Sequence, residues 1–584
     1  MYDIIRDSSF GQILRFFSRN KMLPFSDELP GFELPSPTTE EKRIEGESEA
    51  STVSNFTQRS DESKLNLDEE LARADNASIA RTVSRPVHPV MTSDGVILID
   101  WYTTDDPDHP MNYSTSKKIY VSFLLALYTF AVYIGSSIYT PGMGEVEEKF
   151  DVSPTAAALG MSLYVLACMQ ISLDHNLETT SDDTIDGIGP MLWSPLSEIP
   201  VVGKNPPYIW TFAIFVILTV PTALTDSFAG LLICRFLLGF FGSPCLATAG
   251  ASFQDLWPLI KIPYLMVIWA GFATLGPAFG PVVGGFSVQL ENWRWTQWEM
   301  LWLSGPVFLL MFFSLPETSA ATILLQRARR LRKSLDKANL KSQSEIDQAH
   351  MTAKERAFDA LIKPWEINAL DPAVLFSTFY TSLLYGIFYS FFESTPEVFP
   401  KLYHFNLGES GLPYLSALVA ILVIGPTYAA YWHYTVERPF AKKGFGTQED
   451  RLVVGLVGSC MIPVGLFLYA WTARASVHWI APTFGMGLSV GGTYLIIQSI
   501  FLYLPFTYPK YSASLFAAND LARSTLAAGA ILFSRPLFLN LGVAGGVSLL
   551  GGLTIVCALL LYLLYRYGAI LRAKSRFAVH DGEN

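Results

Sequence analysis

From Ile119 almost to its end the chain alternates long apolar runs with short polar breaks. The hydrocarbon core of a bilayer takes about 20 apolar residues of helix. Runs of that kind fall near 119–140, 156–196 (interrupted), 208–224, 229–250, 262–288 and 298–316. A polar, basic segment follows, and six further runs lie near 372–393, 412–434, 452–472, 479–504, 512–534 and 543–566. The pattern predicts an all-α integral membrane protein of twelve spanning helices in two six-helix halves, 119–316 and 372–566. A basic cytosolic loop, 317–371, joins them, and 567–584 form a cytosolic tail. Residues 30–100 are rich in Ser, Thr, Glu and Pro and cannot bury a core, so 1–118 reads as a mostly disordered, acidic cytosolic tail. Its opening, MYDIIRDSSFGQILRFFSRNKM, interleaves charge through its length and is no cleavable signal. That stretch reads either as a short amphipathic helix on the membrane surface or as a disordered leader.

Composition agrees with lipid as the solvent. Half of the 584 residues are hydrophobic and only 16% are charged, against roughly 25% charged in soluble proteins. The 40 Phe, 26 Tyr and 13 Trp suit a lipid-facing surface edged by aromatic belts. The net charge of -11 comes largely from the tail, in runs such as Asp68-Glu69-Glu70, and no nucleic-acid partner is expected. Cys168, Cys234, Cys245, Cys460 and Cys557 form no CxxC pair and lie almost wholly in apolar runs, which argues against disulfides and against a metal site. Lys and Arg collect on alternate loops: Lys117 and Lys118, Lys204, Lys261, the run RARRLRK at 327–333, Arg438 to Arg451, and Arg566 onward. Positive charge stays on the cytosolic side, which places both termini and the central loop in the cytosol. The sequons at Asn55, Asn76 and Asn112 then face the wrong side for glycosylation.

Three local patterns carry chemistry. In GPMLWSPLSEIPVVGKNPPY, 189–208, a carboxylate (Glu198) is followed by Gly203 and Lys204, and a carboxylate at a helix end can pair with a base or a helix N-terminus to latch one conformation. In LLICRFLLGFFGSP, 231–244, Arg235 falls inside an apolar run, where a charge is costly and marks function by default. In GFATLGPAFGPVVGGF, 271–286, Gly276-Pro277, Gly280-Pro281 and Gly284-Gly285 recur every four residues. Glycines at that spacing admit a close neighbour, and the prolines loosen the backbone where neighbours re-satisfy it.

Six-plus-six helices with these motifs resemble the major facilitator superfamily. The first motif is similar to that family's loop between helices 2 and 3, with Asn205 in place of a second base. The second resembles its helix-4 arginine pattern, with Leu238 where Gln is frequent. The third resembles its antiporter motif, which implies export rather than uptake. NWRWTQWEMLWLSGPVFLLMFFSLPETSAATILLQRARRLRK, 292–333, together with WTARASVHWIAP and YLPFTYPKYSASLFAANDLARS, is similar to the fungal drug:proton antiporter-1 branch. The likeness covers about 100–578, and the leader is similar too.

The resemblance implies proton-coupled efflux of a drug, toxin or fungal secondary metabolite by alternating access about a midplane site. The energy source would be the proton gradient, with no cofactor, and the protein a monomer of the plasma membrane, or alternatively of the vacuole. No GxxxxGK[ST] loop offers ATP drive, and neither HExxH nor GxSxG offers an enzyme site. Proton-linked carriage of a nutrient or polyamine and a non-transporting sensor are the alternatives. Candidate pathway residues are Arg235, Glu393, Tyr389, Asn519, Asp520 and Arg523; candidate gating residues are Glu198, Gly203, Lys204, Gly276, Pro277, Gly280, Pro281 and Gly284. Glu393 reads as a proton carrier ending helix 7 or as a wetted interfacial residue. Asp520 and Arg523, three apart on one helix face, read as transport groups or as a structural pair at the cytosolic mouth.

Helix 2 is broken by MQISLDHNLETTSDDTID, 169–186, whose charges would cost several kcal/mol each inside a bilayer. Relatives run straight from a YVL-like segment through Tyr-Gly into GIGPMLWSP. We read the insertion as a translated intron, since Cys-Met-Gln can encode a GTATG donor and Ile-Asp a TAG acceptor. The alternatives are a genuine loop and, more remotely, a His/Asp/Glu metal site. Sequencing the transcript tests this: a message with one Tyr codon replacing those for Cys168 to Asp186 is expected, and one that always retains them would end the idea.

Overall fold

The computed structural model describes residues 2–29, 95–168, 199–335, 339–349, 370–440, 446–508 and 512–576, with isolated positions at 32, 38–39, 87, 89–91, 197 and 367–368. The insertion at 169–186, most of the stretch 30–100 and Glu198 lie outside the described residues.

Each of the twelve apolar runs begins as helix, and capping chemistry sets many of the starts. The leader forms α1 (Tyr2–Asp7) and α2 (Ser9–Phe17), the amphipathic helix that was one reading of its sequence, with Ser8 capping α2 through the Gly11 amide. In the first half, α3 (Thr115–Ser137) is capped by Ser114, and α4 (Pro154–Ala167) by Ser153 with Pro at its first position. Next come α5 (Asn205–Leu224), α6 (Phe228–Gly242) and α7 (Ala249–Leu256). The run at 229–250 is therefore not one helix: Pro244 cannot donate an amide, the helix breaks after Gly242, and helical structure resumes as far as Leu256. The half closes with α8 (Ile262–Leu290) and α9 (Trp295–Ser314), and α10 (Ala320–Leu335) occupies the central loop.

The second half opens with α11 (Pro372–Tyr403), whose cap Asp371 accepts from the amides of Ala373 and Val374. Hydropathy ends this helix at 393, but it runs ten residues further and absorbs Pro396 and Pro400, so Glu393 lies inside the helix. Then follow α12 (Leu415–Trp432), α13 (Val453–Thr472) and α14 (Ile480–Thr507). The last stretch, Ser512–Lys574, divides at Gly542, whose φ of 70° and ψ of 160° suit glycine, into α15 before it and α16 after it.

Within the first half α3 packs on α8, α4 on α6 and α5 on α9; within the second, α11 packs on α15 and α13 on α14 and α16. The halves meet along α4 with α15 and α8 with α12.

A cap covers the basic end of the first half. Phe10 of α2 meets Phe313 of α9 edge-on at 4.8 Å. Four two-residue strands, β1 (Thr38–Thr39) to β4 (Leu340–Lys341), line up in chain order, with Ile97–Leu98 parallel to Leu340–Lys341. Under them Ile97, Ile99, Ala328, Leu331 and Leu340 make a small second core. Ion pairs tie the pieces: Arg327 to Asp106 (2.8 Å) and Asp108 (2.9 Å), Arg6 to Asp7 (2.7 Å) and Asp108 (3.1 Å), Arg15 to Glu28 (2.7 Å), and Arg330 to Asp27 (2.9 Å). Phe25 takes the guanidinium groups of Arg330, Arg6 and Arg15 against its ring at 3.8, 4.2 and 4.5 Å.

Burial works against the charged form of Asp106, but the Arg327 guanidinium overcomes it and holds the carboxyl below its usual range; Glu28 is held down in the same way by Arg15. Carboxylates depressed on folding give stability that is present above their unfolded pKa of about 4 and is lost as pH falls through the lower folded value. The cap should therefore loosen in acid below about pH 4. Removing one member of a buried pair strands the other. Arg327→Ala should cost about 3 kcal/mol and expose the leader to limited proteolysis, whereas an unchanged digestion pattern would mean that the clasp contributes little.

Candidate functional site between the halves

At the junction of the halves α3 supplies Tyr133 and Ser136, α4 supplies Tyr164, and α11 supplies Tyr385 and Tyr389; they surround a residual void of about 10 Å³. The Tyr389 hydroxyl donates to Ser136 Oγ at 3.0 Å, and Ser162 Oγ donates to the Ala528 carbonyl at 3.0 Å, both across the seam. The Tyr385 and Tyr389 rings meet edge-on at 5.0 Å.

On α15, Asp520 and Arg523 form a tight ion pair three residues apart. The Arg523 guanidinium lies 4.6 Å from the centre of the Tyr385 ring, so the pair sits against the tyrosine cluster. Asn519 Nδ2 donates to Thr381 Oγ1 at 2.8 Å, binding α15 to α11. Tyr389, Asn519, Asp520 and Arg523 thus lie on the two packed helices that face the first half. Arg235 stands one layer behind. It is wholly buried, its Nε donates to the Gly160 carbonyl at 3.0 Å, and its guanidinium lies between the rings of Tyr164 (4.6 Å) and Tyr139 (4.9 Å). Its two terminal nitrogens bond to no described residue, so among the described residues two ring faces and one carbonyl receive this charge. Glu393, one turn along α11 from Tyr389, is buried within electrostatic reach of Arg535, Glu147 and Glu397. Arg535 in turn lies 3.8 Å from Glu147.

The glycine face of α8 receives α3. A Cβ on Gly276 would lie 2.7 Å from the Tyr133 Cβ, on Gly280 2.0 Å from Ser137 Oγ, and on Gly284 2.5 Å from the Ile138 carbonyl oxygen. Pro281 has no amide to offer the Pro277 carbonyl, and Ser137 Oγ donates to that carbonyl at 2.7 Å instead. Beyond this seam the second half presses on the same helix, since a Cβ on Gly411 would fall 2.4 Å from the Pro281 carbonyl.

At the basic end the halves also touch. Glu437 accepts from Lys261 Nζ and from the Tyr264 hydroxyl, His433 Nδ1 lies 3.0 Å from it, and Trp432 Nε1 donates to the Ile260 carbonyl at 3.1 Å. Contacts on both sides of the tyrosine centre make this an occluded arrangement.

Gly203 has φ of 78°, a left-handed turn that needs glycine, and Lys204 pairs with Asp255 at 2.5 Å. Glu317 accepts from the backbone amides of Lys204 and Asn205, each at 3.1 Å, and so caps the start of α5. Burial pushes the Glu317 carboxyl up. Sequence reasoning missed Asp255, Glu317 and Glu437; an acidic residue within LPETS was the visible signal for Glu317.

Residues 125–532 match the sequence model of the Major Facilitator Superfamily. The chain belongs to that superfamily. It is 42% identical to "MFS-type transporter pyvG" of Aspergillus violaceofuscus over 99% of this chain and 100% of that one. It is 33% identical to "Cycloheximide resistance protein" of Candida maltosa over 99% and 100% of the two chains. With "Fluconazole resistance protein 1" of Saccharomyces cerevisiae it shares 35% identity over 82% and 84%. These relatives place it in the fungal drug:proton antiporter branch of this family of membrane transporters.

Gly280→Ala should cost about 2 kcal/mol through overpacking against Ser137, while Gly305→Ala, whose added Cβ meets nothing within 4 Å, should be neutral. Thermal unfolding of the two purified variants compares them; equal midpoints would contradict the seam.

Proposed function

We propose that the chain exports small organic compounds, drugs or a fungal secondary metabolite, while protons move inward. The reading rests on one observation above others: α3 seated on the GP…GP…GG face of α8. A rigid, backbone-to-backbone seam lets the first half move as one body and leaves no leak path beside the centre. Relatives named for cycloheximide and fluconazole resistance support the outward direction, and those named as multidrug and biosynthesis-cluster transporters support the substrate class.

In this reading the halves rock about the tyrosine cluster. Asp520, half-buried and paired with Arg523, and Glu393, buried near Arg535 and Glu147, are the proton-carrying carboxylates. Taking up a proton discharges Asp520 and frees Arg523, which alters how α15 meets α3 and α4. Arg235 holds the first half's tyrosines in place. The protein acts as a monomer in the plasma membrane, with the basic end and both termini in the cytosol.

A deletion strain loaded with a compound panel tests the reading. Deletion should raise intracellular accumulation of at least one compound, and a protonophore should raise it equally in the parent. Accumulation indifferent to both would remove export. Asp520→Asn should abolish proton-driven efflux at an expression level equal to that of the parent, and Asp520→Glu should retain part of it. Raising the external pH lowers the inward proton force and should slow export by the parent.

A further inference from the structure

A second cavity lies away from the transport centre, at the basic end, where α2 of the leader crosses the ends of α5 and α9. Its volume is about 250 Å³. Ile13, Ile209, Trp210, Ala213, Phe308 and Phe312 form its apolar wall, and Asp7, Gln12, Gln326 and Glu317 stand among its polar lining. Half of the wall is aromatic, and its Phe308 and Phe312 rings stack at 6.0 Å and 29°. Trp210, which lines the cavity, is exposed, as are Phe16 and Phe17 of α2 nearby along the leader.

We propose that this cavity is a binding site for a sterol, its ring system against the aromatic wall and its hydroxyl at the polar end. The charges at that end select the head group. The start of α5, which would otherwise attract an anion, already carries the Glu317 carboxylate on the Lys204 and Asn205 amides. Asp7 adds a second carboxylate, and the two cations beside it are engaged: Arg6 holds Asp7 and Asp108, and Lys117 lies 3.4 Å from Asp7 and 3.5 Å from the centre of the Tyr113 ring. A phosphate there would meet the Glu317 and Asp7 carboxylates, and no Lys or Arg is among the cavity's lining residues. A single hydroxyl instead finds the Gln12 and Gln326 amides, which accept and donate alike. Pockets of this type bind by apolar contact and are oriented by a few polar groups. The site is independent of what the centre transports. Its occupant would lock the leader onto α5 and α9.

Photolabelling tests the proposal. The full-length protein in lipid nanodiscs is irradiated with a diazirine sterol, or with a diazirine phosphatidylcholine of matched reactivity, and the labelled peptides are mapped by mass spectrometry. The sterol should label peptides that contain Trp210 and Phe308 to Phe312, unlabelled sterol should compete, and Ala213→Phe should cut labelling about tenfold, the factor that 1.4 kcal/mol carries. Ile13→Trp fills the same space from the leader and should do likewise without touching the transmembrane packing. Equal labelling of these peptides by the phospholipid, sterol labelling spread evenly over the lipid-facing helices, or full labelling of both variants would overturn the assignment.

Discussion

The rest of the structure depends on the close approach of α3 to α8. Three glycines, Gly276, Gly280 and Gly284, leave no room for any side chain where Tyr133, Ser137 and Ile138 pass. In hydrocarbon there is no hydrophobic drive between helices, so association rests on contact and on internally satisfied polar groups. Both are present in this seam: backbones in van der Waals range, and the Ser137 hydroxyl on the carbonyl that Pro281 leaves open. With α3 fixed, Tyr133 and Ser136 are held at the junction, and Ser136 receives the Tyr389 hydroxyl from the other half.

The charges follow the same logic of satisfaction without water. Asp520 is paired within its own helix turn, while Arg235 has ring faces and one carbonyl. Glu437 gathers Lys261, Tyr264 and His433 where the halves meet at the basic end. The halves meet along two helix pairs, α4 with α15 and α8 with α12, through hydrogen bonds at the tyrosine cluster and through the Glu437 and Trp432 contacts at the basic end.

Much of the fold was legible because solvent dictates it: any stretch near 20 apolar residues must be helix in a bilayer. Boundaries were less so. Hydropathy cannot see that Pro396 and Pro400 ride within α11 while Pro244 breaks α6, since the same residue type is tolerated or not according to what re-satisfies the freed carbonyl. Glu393 was accordingly placed at a helix end when it lies inside one. The glycine spacing of α8 announced a close partner, and Arg235 stood out as a charge in an apolar run. Glu317 and Asp255 did not stand out, because their partners Asn205 and Lys204 are 112 and 51 residues away and only the fold brings them together.

The central claim is that the α3–α8 seam is rigid while the halves rock about the tyrosine centre. Spin-label distances measure it most directly, with label pairs at Leu259 and Tyr434 for the basic end, Leu290 and Leu412 for the opposite end, and Ile119 and Ile268 across the seam. Between acidic and alkaline buffer the first two distances should change in opposite senses while the third stays fixed. A shift in the seam distance, or both ends opening together, would contradict the account.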